Sequence, residues 1–295
     1  MAGPLSRLSY QAPRPFPRGP ITIVLIAVLL SGCSINLGSL TPSSEPEPAR
    51  LASQSNIASL SETIKNNPND PQAYNMRGAV LAQAGKTDEA LADFNKAISL
   101  DANYGQAYAN RGLVYRQTKR LDQAMADYER AVSLDANYAP AYLGRGLVYK
   151  ARKQQAEALA DFNKVVALAP DNAEAYYNRG LLYQGEKQHQ YAIDDFTVAN
   201  GLVPQQTEPL LSRALSYLAV DKTKEAAADL DEAVQDDPQN AQAWLTRGLA
   251  YERLGEKNKA AGSYGRAINL RPRDETARTG FARVGGKPGQ AYDTF

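Results

Sequence analysis

An all-α solenoid is the fold this sequence predicts, and three observations predict it. From Pro71 to Asp274 the chain repeats every 34 residues, six times, with no insertion. Within each repeat, small residues recur at fixed places. The eighth reads Gly78, Gly112, Gly146, Gly180, Ala214 and Gly248, and the twentieth is alanine throughout: Ala90, Ala124, Ala158, Ala192, Ala226 and Ala260. Proline stands at place 32 of the last four units (Pro170, Pro204, Pro238, Pro272), where it cannot continue a helix. A unit this short cannot bury its own apolar face, so it must stack on its neighbours.

In chain order, the first element is residues 1–32. Arg7, Arg14 and Arg18 precede "ITIVLIAVLL", ten unbroken apolar residues from Ile21 to Leu30. A bilayer-spanning helix needs about 20 residues, so this run is too short for a permanent anchor. A positive segment, a short apolar core and small residues describe a secretory signal peptide. The stretch ends in "LSGC", which holds the only cysteine of the chain, Cys33. That tetrad resembles the bacterial lipobox. The resemblance implies cleavage before Cys33, lipidation of its sulfur, and a mature protein held by lipid, since one acyl chain alone anchors marginally. Ser34 rather than Asp after the cysteine implies the outer membrane, with the folded part facing the periplasm.

Residues 33–50 carry the lipidated cysteine and a stretch rich in Ser and Pro with no helical period, which reads as a flexible tether. Residues 51–70 follow as an N-terminal capping helix, because Asn56, Leu60 and Pro68 occupy places 20, 24 and 32 of a unit that lacks its first helix.

The six units are 71–104, 105–138, 139–172, 173–206, 207–240 and 241–274. Their aromatic places are 4 (Tyr74, Tyr108, Tyr142, Tyr176, Trp244, with Leu210 in unit five), 11 (Tyr115 to Tyr251, with Leu81 in unit one) and 24 (Phe94, Tyr128, Phe162, Phe196, Tyr264, with Leu230). Places 4, 8 and 11 fall on one face of a first helix, and places 20, 24 and 27 on one face of a second. Small residues at 8 and 20 let the two helices approach, and the aromatic residues fill the surrounding space. Gly85 and Gly255 stand where the first helix should stop. This length and pattern resemble the tetratricopeptide repeat. The resemblance implies a right-handed superhelix of helix–turn–helix units. A closing helix is expected at 275–284, and 285–295, with its two glycines and Lys-Pro-Gly, is expected as a flexible tail.

Composition narrows the chemistry. Lys+Arg number 33 against 32 Asp+Glu, a balance that argues against nucleic-acid binding. One cysteine and one histidine, His189, exclude a disulfide within the chain and clusters of thiol or imidazole metal ligands. His189 reads as a solvated turn residue. There is no Gly-rich phosphate loop and no nucleophile motif. We therefore expect no enzyme activity, no catalytic residue, no metal and no cofactor.

Two side-chain series invite a ligand. Place 7 is arginine in all six units (Arg77, Arg111, Arg145, Arg179, Arg213, Arg247), and place 23 is Asp93, Asp127, Asp161, Asp195 and Asp229, then Ser263. Because the acids track the arginines, the series reads as a structural ladder of ion pairs. Its register, within a unit or to the preceding unit, stays open. Places 5 and 9 of units three to six form the second series: Leu143, Leu147, Tyr177, Leu181, Leu211, Leu215, Leu245 and Leu249. In the resemblance these places face the concave groove, so they are the candidate partner site. The alternative is that they pack between neighbouring first helices. The carboxylate-clamp residues of the chaperone-binding members do not stand at these places.

The order of lipobox, tether and repeats is similar to NlpI-type tetratricopeptide lipoproteins. That likeness implies an adaptor for envelope proteins, bringing a periplasmic protease together with peptidoglycan-remodelling enzymes. Pilotin lipoproteins, assembly factors for pilus or secretion channels, also stack such repeats and are the alternative. Membrane contact is through the lipid, no nucleic acid is involved, and a homodimer is compatible with the plan.

Overall fold

Each unit folds as two antiparallel helices because its apolar residues recur at helical spacing and its ends carry strong stop signals. The computed structural model describes residues 47–204 and 206–292, with side chains from residue 54. The signal segment, Cys33 and the tether as far as residue 46 lie outside the described residues, as do 293–295. The described residues belong to a single unit of structure, Glu45–Phe295. Among them are fourteen helices and no strand.

Helix α1 (Glu47–Asn66) opens the stack. The pairs follow: α2 (Pro71–Gln83) with α3 (Thr87–Leu100), α4 (Gly105–Gln117) with α5 (Leu121–Leu134), α6 (Ala139–Ala151) with α7 (Gln155–Leu168). Then come α8 (Ala173–Gly185) with α9 (His189–Leu202), α10 (Thr207–Ala219) with α11 (Thr223–Asp236), and α12 (Ala241–Arg253) with α13 (Lys257–Leu270). Helix α14 (Glu275–Arg283) closes it.

Two ends depart from expectation. Helix α1 begins inside the stretch assigned to the tether: Pro48 falls in its first turn, where a missing N–H costs nothing. The second concerns only the path of the tail, which turns back over residues 285–292. Gly285 and Gly289 supply left-handed φ angles of 82° and 80°, the Lys287 amide donates to the Tyr292 hydroxyl at 2.7 Å, and the Tyr292 ring meets Phe281 edge-on at 5.8 Å.

The turn inside each unit has one geometry. Place 15 is left-handed in all six units, at Gly85, Lys119, Lys153, Lys187, Asp221 and Gly255. The next amide returns to the carbonyl of place 11, as in Lys86 to Leu81 (2.9 Å) and Gln154 to Tyr149 (2.9 Å). This is the Schellman closure of a helix end. Asp70, Asn172, Asn240 and Asp274 cap the helices that follow them, each side chain accepting from an amide of the first turn.

The core of each pair is a glycine facing a ring. A methyl group at Gly78, Gly146, Gly180 or Gly248 would fall 2.8, 2.9, 2.8 or 2.6 Å from the ring at place 24 of the same unit. Alanines at place 20 are fully buried beside them. In unit five Ala214 replaces the glycine and Leu230 the ring, and both are fully buried. The smaller, narrower Leu230 leaves the room that Ala214 takes up.

Candidate interaction groove

The first helices build the inner side of the stack. Helices α2 and α4 pack on each other, as do α4 and α6, α8 and α10, α10 and α12, and α12 and α14, whereas second helices make no comparable contact with one another. Surface on the first helices that is not turned toward the second helices is the candidate groove.

All eight apolar residues predicted at places 5 and 9 lie on these helices, and six of them rest on the core. Leu143 and Leu147 pack against Phe162 and Leu182. Tyr177 lies 5.9 Å from the Phe196 ring, centroid to centroid. Leu211, Leu245 and Leu249 pack against the buried cluster of Leu218, Leu230 and Tyr251. Seven of the eight are half-buried and Leu215 is 41 % exposed. Two further exposed apolar groups lie outside the predicted series, Leu113 at place 9 of unit two (38 % exposed) and Met76 of α2 (56 % exposed). Place 9 was the available signal for Leu113; Met76 stands at place 6, which carries no apolar series.

Polar side chains tie one first helix to the next across this floor. Asn110 Nδ2 donates to Asn75 Oδ1 at 2.9 Å, and Asn75 Nδ2 to the Tyr104 hydroxyl at 3.1 Å. Lys150 Nζ donates to Asn178 Oδ1 at 2.7 Å, and burial pushes the Lys150 ammonium down from its ordinary pKa. Gln184 Nε2 donates to the Ser212 carbonyl and to Ser216 Oγ, both at 2.8 Å. These bonds hold the spacing of the leucine rows, which is what a docking surface requires before a partner arrives.

The arginine ladder lies behind the groove, and its register is now resolved. Each of Arg77, Arg111, Arg145, Arg179 and Arg213 forms two bonds of 2.7–2.9 Å to the place-23 carboxylate of its own unit. These paired bonds push each guanidinium pKa further up, against the opposing effect of burial. In four of the five, Arg145 excepted, a remaining N–H reaches place 25 of the preceding unit, as in Arg111 to Asn95 and Arg179 to Asn163. Unit six has Ser263 at place 23, and there the charge has changed address. Arg247 bonds Asp231, at place 25 of unit five, at 2.6 Å, and Ser263 Oγ at 2.7 Å. The place-4 and place-11 rings enclose the guanidinium, with Tyr142 and Tyr149 at 5.3 and 5.9 Å from Arg145. These partners neutralise the guanidinium charge within the ladder.

His189 differs from expectation. It is the first residue of α9 and half-buried, and its Nδ1 is shielded from water without a hydrogen-bond partner among the described residues. Among the described residues no group of three His, Cys, Asp or Glu side chains could hold a metal, and no helix is long and apolar enough to cross a membrane.

Comparison with known proteins agrees with this geometry. Family models described as "TPR repeat" match residues 78–119, 112–152 and 147–186, and models described as "Tetratricopeptide repeat" match 60–92 and 211–275. The chain belongs to the tetratricopeptide repeat family. No curated protein matches it. Among solved structures, pilF of Pseudomonas aeruginosa is similar at a TM-score of 0.65 and 21 % identity, over 72 % of this chain and 97 % of that one. The C-terminal part of a repeat protein from Cytophaga hutchinsonii superposes at 0.58 and 19 % identity, over 79 % and 98 %. YrrB, described as a tetratricopeptide protein with an unusual peptide-binding site, superposes at 0.52 and 22 % identity, over 62 % and 95 %. At these identities the likenesses show the fold. A tetratricopeptide repeat stack is a scaffold for protein–protein interaction.

Proposed function

We propose that this tetratricopeptide protein is a lipid-anchored adaptor of the bacterial cell envelope, held to the outer membrane through Cys33 and facing the periplasm. Its groove takes a helix or an extended peptide of an envelope protein, and by holding such partners near the membrane it brings a protease together with peptidoglycan-remodelling enzymes. The observation that carries the binding role is the row of leucines whose open sides line the inner helices, with Leu215 and Leu113 the most exposed. Contiguous exposed apolar surface in a folded protein marks a partner site. An amphipathic or extended segment fits a groove with apolar groups at i and i+4 on consecutive helices. The peptide-binding site ascribed to YrrB, which shares the fold, is consistent with a peptide ligand. The anchor rests on the "LSGC" tetrad and the apolar run before it.

A pilotin-like assembly factor is the second reading. Ser34 after the cysteine, with its outer-membrane implication, favours it as much as the first. Crosslinking in intact cells separates the two by what copurifies: wall hydrolases and a protease, or subunits of a secretion or pilus channel.

The groove itself is tested with two variants. Leu215→Ser alters an exposed side chain and should leave the melting curve unchanged. Tyr177→Ser with Leu181→Ser removes central anchors and should weaken partner binding by about 2 kcal/mol or more. Partner recovery at the normal level from both variants would remove the groove from consideration.

A further inference from the structure

The cap end of the stack breaks the repeat plan and leaves a second hollow, apart from the groove. Place 7, arginine in all six units, is Phe281 in α14. Place 25 of unit six, which in units one, three, four and five offers an acceptor to the next arginine, is Gly265; a methyl group there would lie 3.7 Å from the Phe281 ring. The ring therefore takes the position of a guanidinium against α13. Among the described residues no second helix follows α14, and the tail turns back instead. Between α13, α14 and this tail lies a cavity of about 730 Å3.

Its lining is one-sided in charge. The rings of Trp244, Phe281 and Tyr292 wall it, Arg266, Arg278 and Lys287 reach it, and among the described residues no carboxylate does. None of these three cations has an ion pair or a side-chain hydrogen bond among the described residues. The contrast with Arg247, which is 1 % exposed and bonded to Asp231 and Ser263, is sharp. Three like charges around an apolar hollow repel one another and draw an anion. The volume suits a small organic molecule, and guanidinium groups match the two oxygens of a carboxylate.

We infer that this cavity binds a carboxylate carried on an aromatic or aliphatic group, the anion held by Arg266, Arg278 and Lys287 and the apolar part by Trp244, Phe281 and Tyr292. Such a group is offered either by a free small carboxylic acid or by the C-terminal residue of a peptide.

Trp244 is the only tryptophan of the chain, and its indole N–H is fixed on the Pro238 carbonyl at 3.0 Å, so its fluorescence reports on this cavity. The full-length protein is titrated with N-acetyl-phenylalanine and with its uncharged amide. We expect a saturable change with the acid and affinity about tenfold or more weaker with the amide. Arg278→Ala and Lys287→Ala alter exposed side chains. Each should weaken the acid by about threefold or more, and Arg266→Ala with Arg278→Ala should remove saturation, with an unchanged melting curve. N-acetyl-Ala-Ala-Phe binding more tightly than N-acetyl-phenylalanine assigns the site to a peptide end; equal or weaker binding assigns it to a free acid. The Tyr177→Ser, Leu181→Ser variant should bind the acid normally. No saturable change, equal affinity for acid and amide, undiminished binding by the double arginine variant, or loss on altering the groove would each overturn the inference.

Discussion

Gly144 lies against the ring of Tyr128: a methyl group on its backbone would fall 2.2 Å from Cε1 and Cζ of that ring. Tyr128 holds place 24 of unit two, and Gly144 place 6 of unit three. Tyr264 and Gly280 repeat the relationship at the cap, at 2.5 Å. Where place 24 is Phe94, Phe162, Phe196 or Leu230, the next place 6 is Asn110, Asn178, Ser212 or Thr246. The tyrosines thus coincide with glycine across the unit boundary, and the phenylalanines and Leu230 with a side chain.

The first prediction tests that pairing. Gly144→Asn should destabilise by about 1–3 kcal/mol through overpacking. Combining it with Tyr128→Phe recreates the Phe94–Asn110 pair and should recover most of the loss, a coupling of about 1 kcal/mol or more in a double-mutant cycle. Additive losses in denaturant unfolding would show that the hydroxyl is not what demands the glycine.

A second prediction concerns Asp231. Its carboxylate also accepts from the Tyr251 hydroxyl at 2.7 Å. Asp231→Asn leaves Arg247 buried without an anion and should cost about 3–5 kcal/mol. Adding Ser263→Asp restores the ladder register of the other units and should return most of that stability. Thermal unfolding of the two variants decides it.

The third prediction concerns the turns. Lys119, Lys153 and Lys187 hold φ near 60°, a conformation that strains a side-chain-bearing residue, whereas Gly85 and Gly255 serve the same turn without strain. Each Lys→Gly change should stabilise by about 0.5–1 kcal/mol, after the greater chain entropy of glycine is deducted. A lower melting temperature in all three single variants would contradict this.

The fourth is a pH dependence at the cap. The Arg283 guanidinium bonds the Glu252 carboxylate and, with the Tyr264 hydroxyl donating at 2.6 Å, holds it below its ordinary pKa of 4.5. A depressed carboxylate contributes stability that is present above its unfolded pKa and is lost as the pH falls through the folded value. Amide exchange in α14 should therefore rise as the pH drops below about 4.5, beyond what exchange chemistry alone requires. Glu252→Gln should show faster exchange at pH 7 and a weaker acid dependence. Identical profiles for both proteins would rule the linkage out.

The fifth concerns the anchor. Cys33→Ser should yield an unprocessed or soluble protein that is absent from the membrane fraction, because lipid on that sulfur is the proposed attachment. Normal mobility and membrane partition of the variant would remove the lipoprotein reading.

Much of this molecule is legible in one dimension because its contacts repeat. A glycine at place 8 and a ring at place 24 are sixteen residues apart in five of the six units, so spacing alone exposes the Gly78–Phe94 contact, and the same argument placed the leucine rows on the first helices. Helix stops are also local: Gly85 and Gly255 announce them. Lys119, Lys153 and Lys187 do not, since the closure of the turn imposes on them a backbone angle that lysine does not itself prefer.

What the sequence by itself determined is the period, the helix pairs and which places are small or apolar, since these follow from local spacing and side-chain volume. Tertiary structure decided where charge is neutralised and which surface stays open. Asp231 can serve Arg247 only because stacking brings place 25 of one unit beside place 7 of the next. The same stacking sets how much of each leucine is covered: Leu143 and Leu147 are partly buried against Phe162 and Leu182, whereas Leu215 is 41 % exposed. At the cap Phe281 replaces an arginine, and the returning tail encloses a cavity that no repeat pattern foretells. Such outcomes depend on distances between units, and those exist only after the chain has stacked.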